Sequence, residues 1–181
     1  MAAGDGSVTA PSVRGTDSNT GLFFPSGGVT AIARNGVEGA RMDASGNLLV
    51  GKTGTSFSTV GVRNSADGEI QSTRNGGVGL YVNRLTSDGD LARFYKDSTT
   101  VGSIGSEGGD SLYIVNGDTG LRFVGGVDSI VPSNANGAVR DAAIDIGFSS
   151  QRFKDLYLSG TAKVANVLET VYALTGTALD A

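Results

Sequence analysis

The 181-residue chain contains no histidine, no cysteine and no tryptophan. Without an imidazole or a thiolate there is no Ser-His-Asp triad, no Cys-His pair, no histidine or cysteine metal site and no disulfide. Without tryptophan, the best aromatic platform for sugars and exposed cations is missing. Proline is scarce, at 3 residues, and apolar runs stop after a handful of positions, so no stretch could cross a bilayer as a helix. Met1-Ala2-Ala3-Gly4-Asp5 has neither a basic flank nor an apolar core and does not read as a signal peptide. Positive charge is in deficit: 14 Lys+Arg against 18 Asp+Glu leave a net −4, which argues against a nucleic-acid-binding domain.

Glycine is what the chain has in excess, 29 of 181 residues, where about 7% is ordinary. No three-residue glycine register runs through it, which excludes collagen. The low proline and many short apolar runs argue against a disordered linker. Glycine enters positive φ at little steric cost, so the surplus suits tight turns between short strands. Asx-Gly pairs mark such turns at Asn35-Gly36, Asp67-Gly68, Asn75-Gly76, Asp88-Gly89, Asn116-Gly117 and Asn136-Gly137. Between them, Val78-Gly79-Leu80-Tyr81-Val82 puts Val78, Leu80 and Val82 on one strand face. In Leu91-Ala92-Arg93-Phe94-Tyr95, Ala92 and Phe94 share a face, with Leu91, Arg93 and Tyr95 on the other. Leu112-Tyr113-Ile114-Val115 reads as a strand buried on both faces. No helical period is sustained from Gly4 to Gly160. The expectation is an all-β chain of short strands and hairpins.

An internal repeat organises these strands. Thr20-Gly21-Leu22-Phe23-Phe24 matches Thr119-Gly120-Leu121-Arg122-Phe123, and Gly27 to Ile32 matches Gly125 to Ile130. Both copies continue into an Asn-Gly turn, an Arg and an Asp (Arg41 and Asp43; Arg140 and Asp141), and a closing apolar strand ending in glycine. The closing strands are Leu48-Leu49-Val50-Gly51 and Ile144-Asp145-Ile146-Gly147. The organisation that follows is an N-terminal extended or attachment segment (1–15), a first β module (16–56), a central β meander (57–114), a second β module (115–160) and a tail (161–181). In the tail, Val164, Val167, Val171, Leu174 and Ala178 have coiled-coil spacing over about two heptads, and Thr170 to Leu174 also reads as a strand.

Residue patterns that carry chemistry elsewhere read here as turns and ion pairs. Gly46-Asn47-Leu48-Leu49-Val50-Gly51-Lys52-Thr53 satisfies the phosphate-loop pattern, yet its apolar strand lies inside the pattern, and Gly54-Thr55-Ser56 stands where a helix should begin. Gly108-Gly109-Asp110-Ser111-Leu112 is a single glycine-aspartate copy, where a calcium site needs six to eight oxygens. Asp88 and Asp90 form a close carboxylate pair, and Asp110 and Asp118 could also approach each other, as glycoside hydrolysis would require. Turn chemistry accounts for all four. Arg34, Arg41, Arg63, Arg74, Arg84 and Arg93 alternate with carboxylates along strands and suggest ion pairs rather than phosphate recognition. No catalytic, cofactor-binding or metal-binding residue is expected, and no cofactor.

Thr16-Asp17-Ser18-Asn19-Thr20-Gly21-Leu22-Phe23-Phe24-Pro25, Ala33-Arg34-Asn35-Gly36-Val37-Glu38 and Arg41-Met42-Asp43-Ala44-Ser45-Gly46-Asn47-Leu48-Leu49-Val50-Gly51 together resemble a module common in bacteriophage tail-fibre proteins. Ile144 to Gly160 is similar to a segment near the distal part of such fibres. The likeness covers residues 16–51 and 115–160. It implies a virion protein, assembled in the host cytoplasm, that forms a short fibre or one portion of a larger one. Its partners would be its own copies, other tail or capsid proteins, and a host-surface polysaccharide or receptor, with no nucleic acid and no membrane insertion. A self-cleaving C-terminal chaperone domain, frequent in such fibres, is not expected. Thin cores and exposed strand edges point the same way, to an elongated, intertwined homotrimeric β-fibre. Leu22, Phe24, Ile32, Leu48, Val50, Leu112, Ile114, Leu121, Phe123, Ile144 and Ile146 would point into its shared core. The alternatives are a passive capsid or tail decoration or adaptor protein, and a tailspike-like polysaccharide hydrolase or lyase.

Overall fold

The structure, a computed structural model, describes residues 4–162. It is all-β, with two antiparallel sheets and a single 3-10 turn among the described residues. The chain divides into two compact units, residues 1–83 and 84–181, each holding one sheet. The boundary falls inside the segment 57–114.

The first unit is a meander in which each strand pairs with its sequence neighbours. Its strands are β1 (Val13–Arg14), β2 (Gly21–Phe23), β3 (Thr30–Arg34), β4 (Val37–Met42), β5 (Leu48–Val50), β6 (Gly61–Asn64) and β7 (Ile70–Thr73). The second unit is another meander: β8 (Gly89–Lys96), β9 (Thr99–Glu107), β10 (Ser111–Asn116), β11 (Thr119–Val124) and β12 (Ser129–Ser133). Gly125–Val127 makes the short 3-10 turn between β11 and β12.

Three of the connections share one design, legible as X-Ala-X-Gly-X: Asp43-Ala44-Ser45-Gly46-Asn47, Ser65-Ala66-Asp67-Gly68-Glu69 and Asn134-Ala135-Asn136-Gly137-Ala138. In each, the first residue's N–H donates to the fifth residue's carbonyl, at 3.0, 2.9 and 2.9 Å. The glycine N–H donates back to the first residue's carbonyl, at 2.9, 3.1 and 3.0 Å. The first side chain then accepts the fifth residue's N–H, through Asp43 Oδ1, Ser65 Oγ and Asn134 Oδ1. The fourth position has positive φ in all three, +81°, +98° and +80°, which is why it is glycine.

Two further hairpins use two-residue turns with both central residues at positive φ: Asn35-Gly36 (+52°, +73°) and Asp97-Ser98 (+48°, +63°). The first carries the expected signature; the second has no glycine. The Asn116-Gly117 turn is displaced by one residue, because Asn116 pairs with Thr119 and the loop is Gly117-Asp118. Asn75-Gly76 lies in an irregular bend, and Gly89 is already inside β8, so neither is a hairpin turn.

Other expectations need correction. Val78 to Val82 has strand composition but joins neither sheet and is exposed. Ile144 to Gly147 is not a strand, so the second module lacks the closing strand of the first, although the matched hairpins β2–β3 and β11–β12 both form. Leu112 to Val115 is buried on one face only: Tyr113 and Val115 are buried, Leu112 and Ile114 exposed. In the segment 1–15, Ser7 and Ala10 form a bridge before β1. The tail alternatives for 161–181 lie, from residue 163 on, outside the described residues.

The chain's own core is thin. In the first unit Phe23, Ala31 and Ala33 form a buried cluster with Val8 packed against it. In the second unit Tyr113 fills the equivalent role, at 1% exposure. A Cβ at Gly137 would overlap the Tyr113 ring, and one at Gly120 would overlap Val115. Gly137→Ala should therefore combine positive-φ strain of about 1–2 kcal/mol with overpacking of about 1–3 kcal/mol. Gly68→Ala, with positive φ but open space around it, carries only the first cost. Thermal unfolding of the two variants should rank them in that order.

Candidate functional site

Pleating sends alternate residues to opposite faces of a sheet, and the ladder registers sort each sheet into two unlike faces. In the first sheet, Val13, Leu22, Ile32, Ala40, Val50 and Val62 lie in register across six strands, and Met42, Leu48 and Ile70 fall on the same face. In the second, Leu112, Phe123 and Ile130 form one row, and Ala92, Ile104, Ile114, Leu121 and Pro132 form the next. Phe94 continues that face. Most of the large side chains in these rows are exposed in the chain; Ile114 and Leu121 each keep 48% of their surface. Over the second sheet, Ile114, Leu121, Phe123, Ile144, Ile146 and Phe153 line an apolar groove of about 610 Å³.

The opposite faces hold most of the strand charges and are partly covered by the chain itself, with Leu49 and Tyr113 fully buried and Arg93 still half exposed. On the first sheet the row Phe23, Ala31, Arg41, Leu49, Arg63, Gln71 is the covered one. Arg41 makes a two-pronged ion pair with Glu38, at 2.5 and 2.7 Å, and Arg63 pairs with Glu69. Leu49, the register neighbour of both arginines, is fully buried. On the second sheet Asp90, Arg93, Glu107 and Arg122 share the face of Tyr113. Arg63 Nε, Gln71 Oε1, Arg122 Nε and Ser133 Oγ are also buried, without a partner among the described residues.

Two bulges maintain this division. Residues three apart in a regular strand point to opposite faces, yet Glu38 and Arg41 form an ion pair, as do Asp90 and Arg93. In β4 the register slips between Ile32 and Ala33, with Gly39 as the extra residue; in β8 it slips at Leu91. Each slip turns a carboxylate, Glu38 or Asp90, away from the apolar face and beside its arginine. Arg34 and Lys96 are the charged residues left at the rim of the apolar faces, each next to a two-residue turn.

Asp90 is the centre of the second cluster. Its Oδ1 accepts the Tyr113 hydroxyl at 2.8 Å, and its Oδ2 accepts Arg93 Nε at 2.9 Å and a terminal guanidinium nitrogen at 2.5 Å. Burial pushes the Asp90 carboxyl up, but hydrogen bonds from Arg93, Ser103 and Tyr113 outweigh it and hold the group below the usual range. Burial first, and the Asp90 hydrogen bond second, push the Tyr113 phenol up to about 12.

The residues weighed for chemistry are placed as follows. Lys52 of the phosphate-loop pattern is buried, and its ammonium donates to the carbonyls of Ser56 (2.6 Å) and Thr59 (3.3 Å); no helix follows it. Gly108-Gly109-Asp110 is the turn between β9 and β10. Asp88 accepts the Gly109 N–H, while Asp90 is committed to Tyr113 and Arg93. Asp110 and Asp118 do not approach each other: they flank opposite ends of β10, on the order of 20 Å apart at about 3.3 Å per residue. Arg74 and Arg84 donate to nearby backbone carbonyls, of Val78 and of Ser87 and Asp90. Among the described residues no three metal-ligating side chains come together, and no helix is long and apolar enough to cross a membrane.

Of the residues expected to point inward, Leu22, Ile32, Leu48, Val50, Leu112, Ile114, Leu121 and Phe123 fall on the two apolar faces, while Phe24, Ile144 and Ile146 lie outside the strands. Sequence reasoning missed the bulges, whose signal is an acid and an arginine three apart in a strand. Comparison with protein families, curated proteins and solved structures gave no match.

The folded state holds the Tyr113 proton more tightly than the unfolded chain does. Its contribution to stability is therefore complete below pH about 10 and disappears as the pH rises towards about 12. Ultraviolet titration of tyrosinate should show one phenol ionising last, and Asp90→Asn should bring it to lower pH.

Proposed function

We propose that the chain is a structural fibre protein of a bacteriophage particle: a homotrimer, not an enzyme, attached to the tail or capsid and supporting or mediating adhesion to the host surface. The observation that carries this reading is the inversion of the two sheets, with the charged faces partly covered by the chain and the apolar rows left open. An isolated antiparallel sheet normally does the reverse, burying its apolar face and solvating its polar one. Burying one Leu, Ile or Phe contributes about 1.5–3 kcal/mol, so a row of such residues on each copy can exceed an association cost of about 4–15 kcal/mol. Cyclic symmetry brings equivalent faces of the copies to one axis and leaves none uncovered. The resemblance of residues 16–51 and 115–160 to tail-fibre modules supplies the biological setting. The copies would assemble in the host cytoplasm and remain in the virion.

Light scattering on the purified protein should give about 55 kDa, three times the 18.3 kDa chain. A mass of one chain would overturn the reading. Ile114→Asp, a charge in the middle of the open face, should return the protein to single chains, because an unpaired buried charge costs several kcal/mol. Ser98→Asp, a charge in the β8–β9 turn, should leave the assembly intact. Labels on each terminus, imaged on particles, would locate the protein on tail or capsid. Loss of host-cell binding by particles lacking it would separate an adhesion fibre from a passive decoration.

A further inference from the structure

The chain contains four Asn-Gly pairs, at 35–36, 75–76, 116–117 and 136–137. Asparagine followed by glycine is the dipeptide most open to intramolecular deamidation, because glycine has no side chain to keep its backbone nitrogen from the asparagine amide. In that reaction the glycine nitrogen loses its proton and bonds to the asparagine Cγ, and ammonia leaves from Cγ to give a five-membered imide. Water then opens the ring at either carbonyl, yielding aspartate or isoaspartate. The nitrogen must be free to leave its hydrogen bond, and the backbone free to bring it onto Cγ.

The fold treats the four pairs differently. The Gly36 N–H donates to the Asn19 carbonyl at 2.9 Å, inside the β3–β4 hairpin. The Gly137 N–H donates to the Asn134 carbonyl at 3.0 Å, and Gly137 is buried against the Tyr113 ring. Asn116 is held in the ladder of β10, paired with Thr119, so its backbone is fixed in the extended form. Asn75 and Gly76 lie in an exposed bend that belongs to neither sheet, and among the described residues no backbone hydrogen bond ties the Gly76 nitrogen. Gly76 and Gly77 both have positive φ, +70° and +77°, so two successive residues lack side chains around the reacting nitrogen. The Arg74 guanidinium, which donates to the Val78 carbonyl at 3.1 Å, sits over this bend. A cation there favours the amide anion that attacks.

We infer that Asn75 is the chain's deamidation site, a position that acquires a new carboxylate, and largely an isoaspartyl linkage, while Asn35, Asn116 and Asn136 stay amides. The change falls between β7 and the end of the first unit, where the added backbone carbon of isoaspartate disturbs no ladder.

The test is peptide mapping by mass spectrometry of the intact protein after timed incubation in mildly alkaline buffer. Asn75 should convert at least about tenfold faster than the other three, equivalent to about 1.4 kcal/mol in barrier. The same incubation in concentrated urea should bring all four rates together, since the sequence pair is the same and only the fold differs. Equal rates in the folded protein, faster conversion at Asn35, Asn116 or Asn136, or a ranking that survives in urea would each overturn the inference. Asn75→Gln should remove the acidic species that accumulates on ion exchange.

Discussion

The organisation of both sheets depends on one geometric fact, that side chains alternate with a period of two and a single inserted residue reverses the alternation. In β4 and β8 that insertion falls next to a carboxylate. Without Gly39 as an extra residue, Glu38 would stand in line with Ala40 and Met42; without Leu91, Asp90 would stand in line with Ala92 and Phe94. The bulges keep Glu38 and Asp90 off the apolar faces and set each beside its arginine. An exposed ion pair contributes only about 0–1 kcal/mol, and these pairs are partly buried but share their faces with unpartnered polar atoms. Their chief effect is to decide which face is apolar.

The covered faces show how little the chain needs for this. Small residues suffice: Ala31 and Ala33 let Val8 pack against one sheet, and in the other Gly105 and Gly120 leave room for the side chains of their register partners Tyr113 and Val115. The large aliphatic residues are mostly on the other side. A chain built this way holds its strand pairing by itself and leaves most of its hydrophobic driving force unspent, which is the physical basis for reading it as one part of a larger assembly.

The alternation of Leu22, Ile32, Leu48, Val50, Ile114 and Leu121 was legible in the sequence, because alternation is a local property. So was the matching of β2–β3 with β11–β12. Less legible were features set by neighbours. The Asp97-Ser98 turn has the same geometry as Asn35-Gly36 without the glycine that announces it. Val78 to Val82 has the composition of a strand, yet it does not pair with the free edge of β7, and composition alone does not report pairing. Ile144 to Gly147 resembles Leu48 to Gly51 in pattern; yet β5 has β4 and β6 on either side, and the later segment instead borders the groove over β10 and β11. The buried ammonium of Lys52 was hidden inside a phosphate-loop pattern, because the carbonyls it satisfies are those of the loop after it.

The shared design of the loops at 43–47 and 65–69 bears on how such a chain can change over generations. Both loops join residues on the same face, Met42 to Leu48 and Asn64 to Ile70, and both reverse the chain in the same way. Unequal recombination between their coding sequences would remove or duplicate β5 and β6 as one block. Every remaining side chain would stay on its original face, and every strand would still meet an antiparallel neighbour. The loop at 134–138 connects Ser133, on the covered face, so an exchange with either of the other two would turn the following strand inside out. The first sheet can thus grow or shrink by whole hairpins, and heritable variation in length is written into its turns.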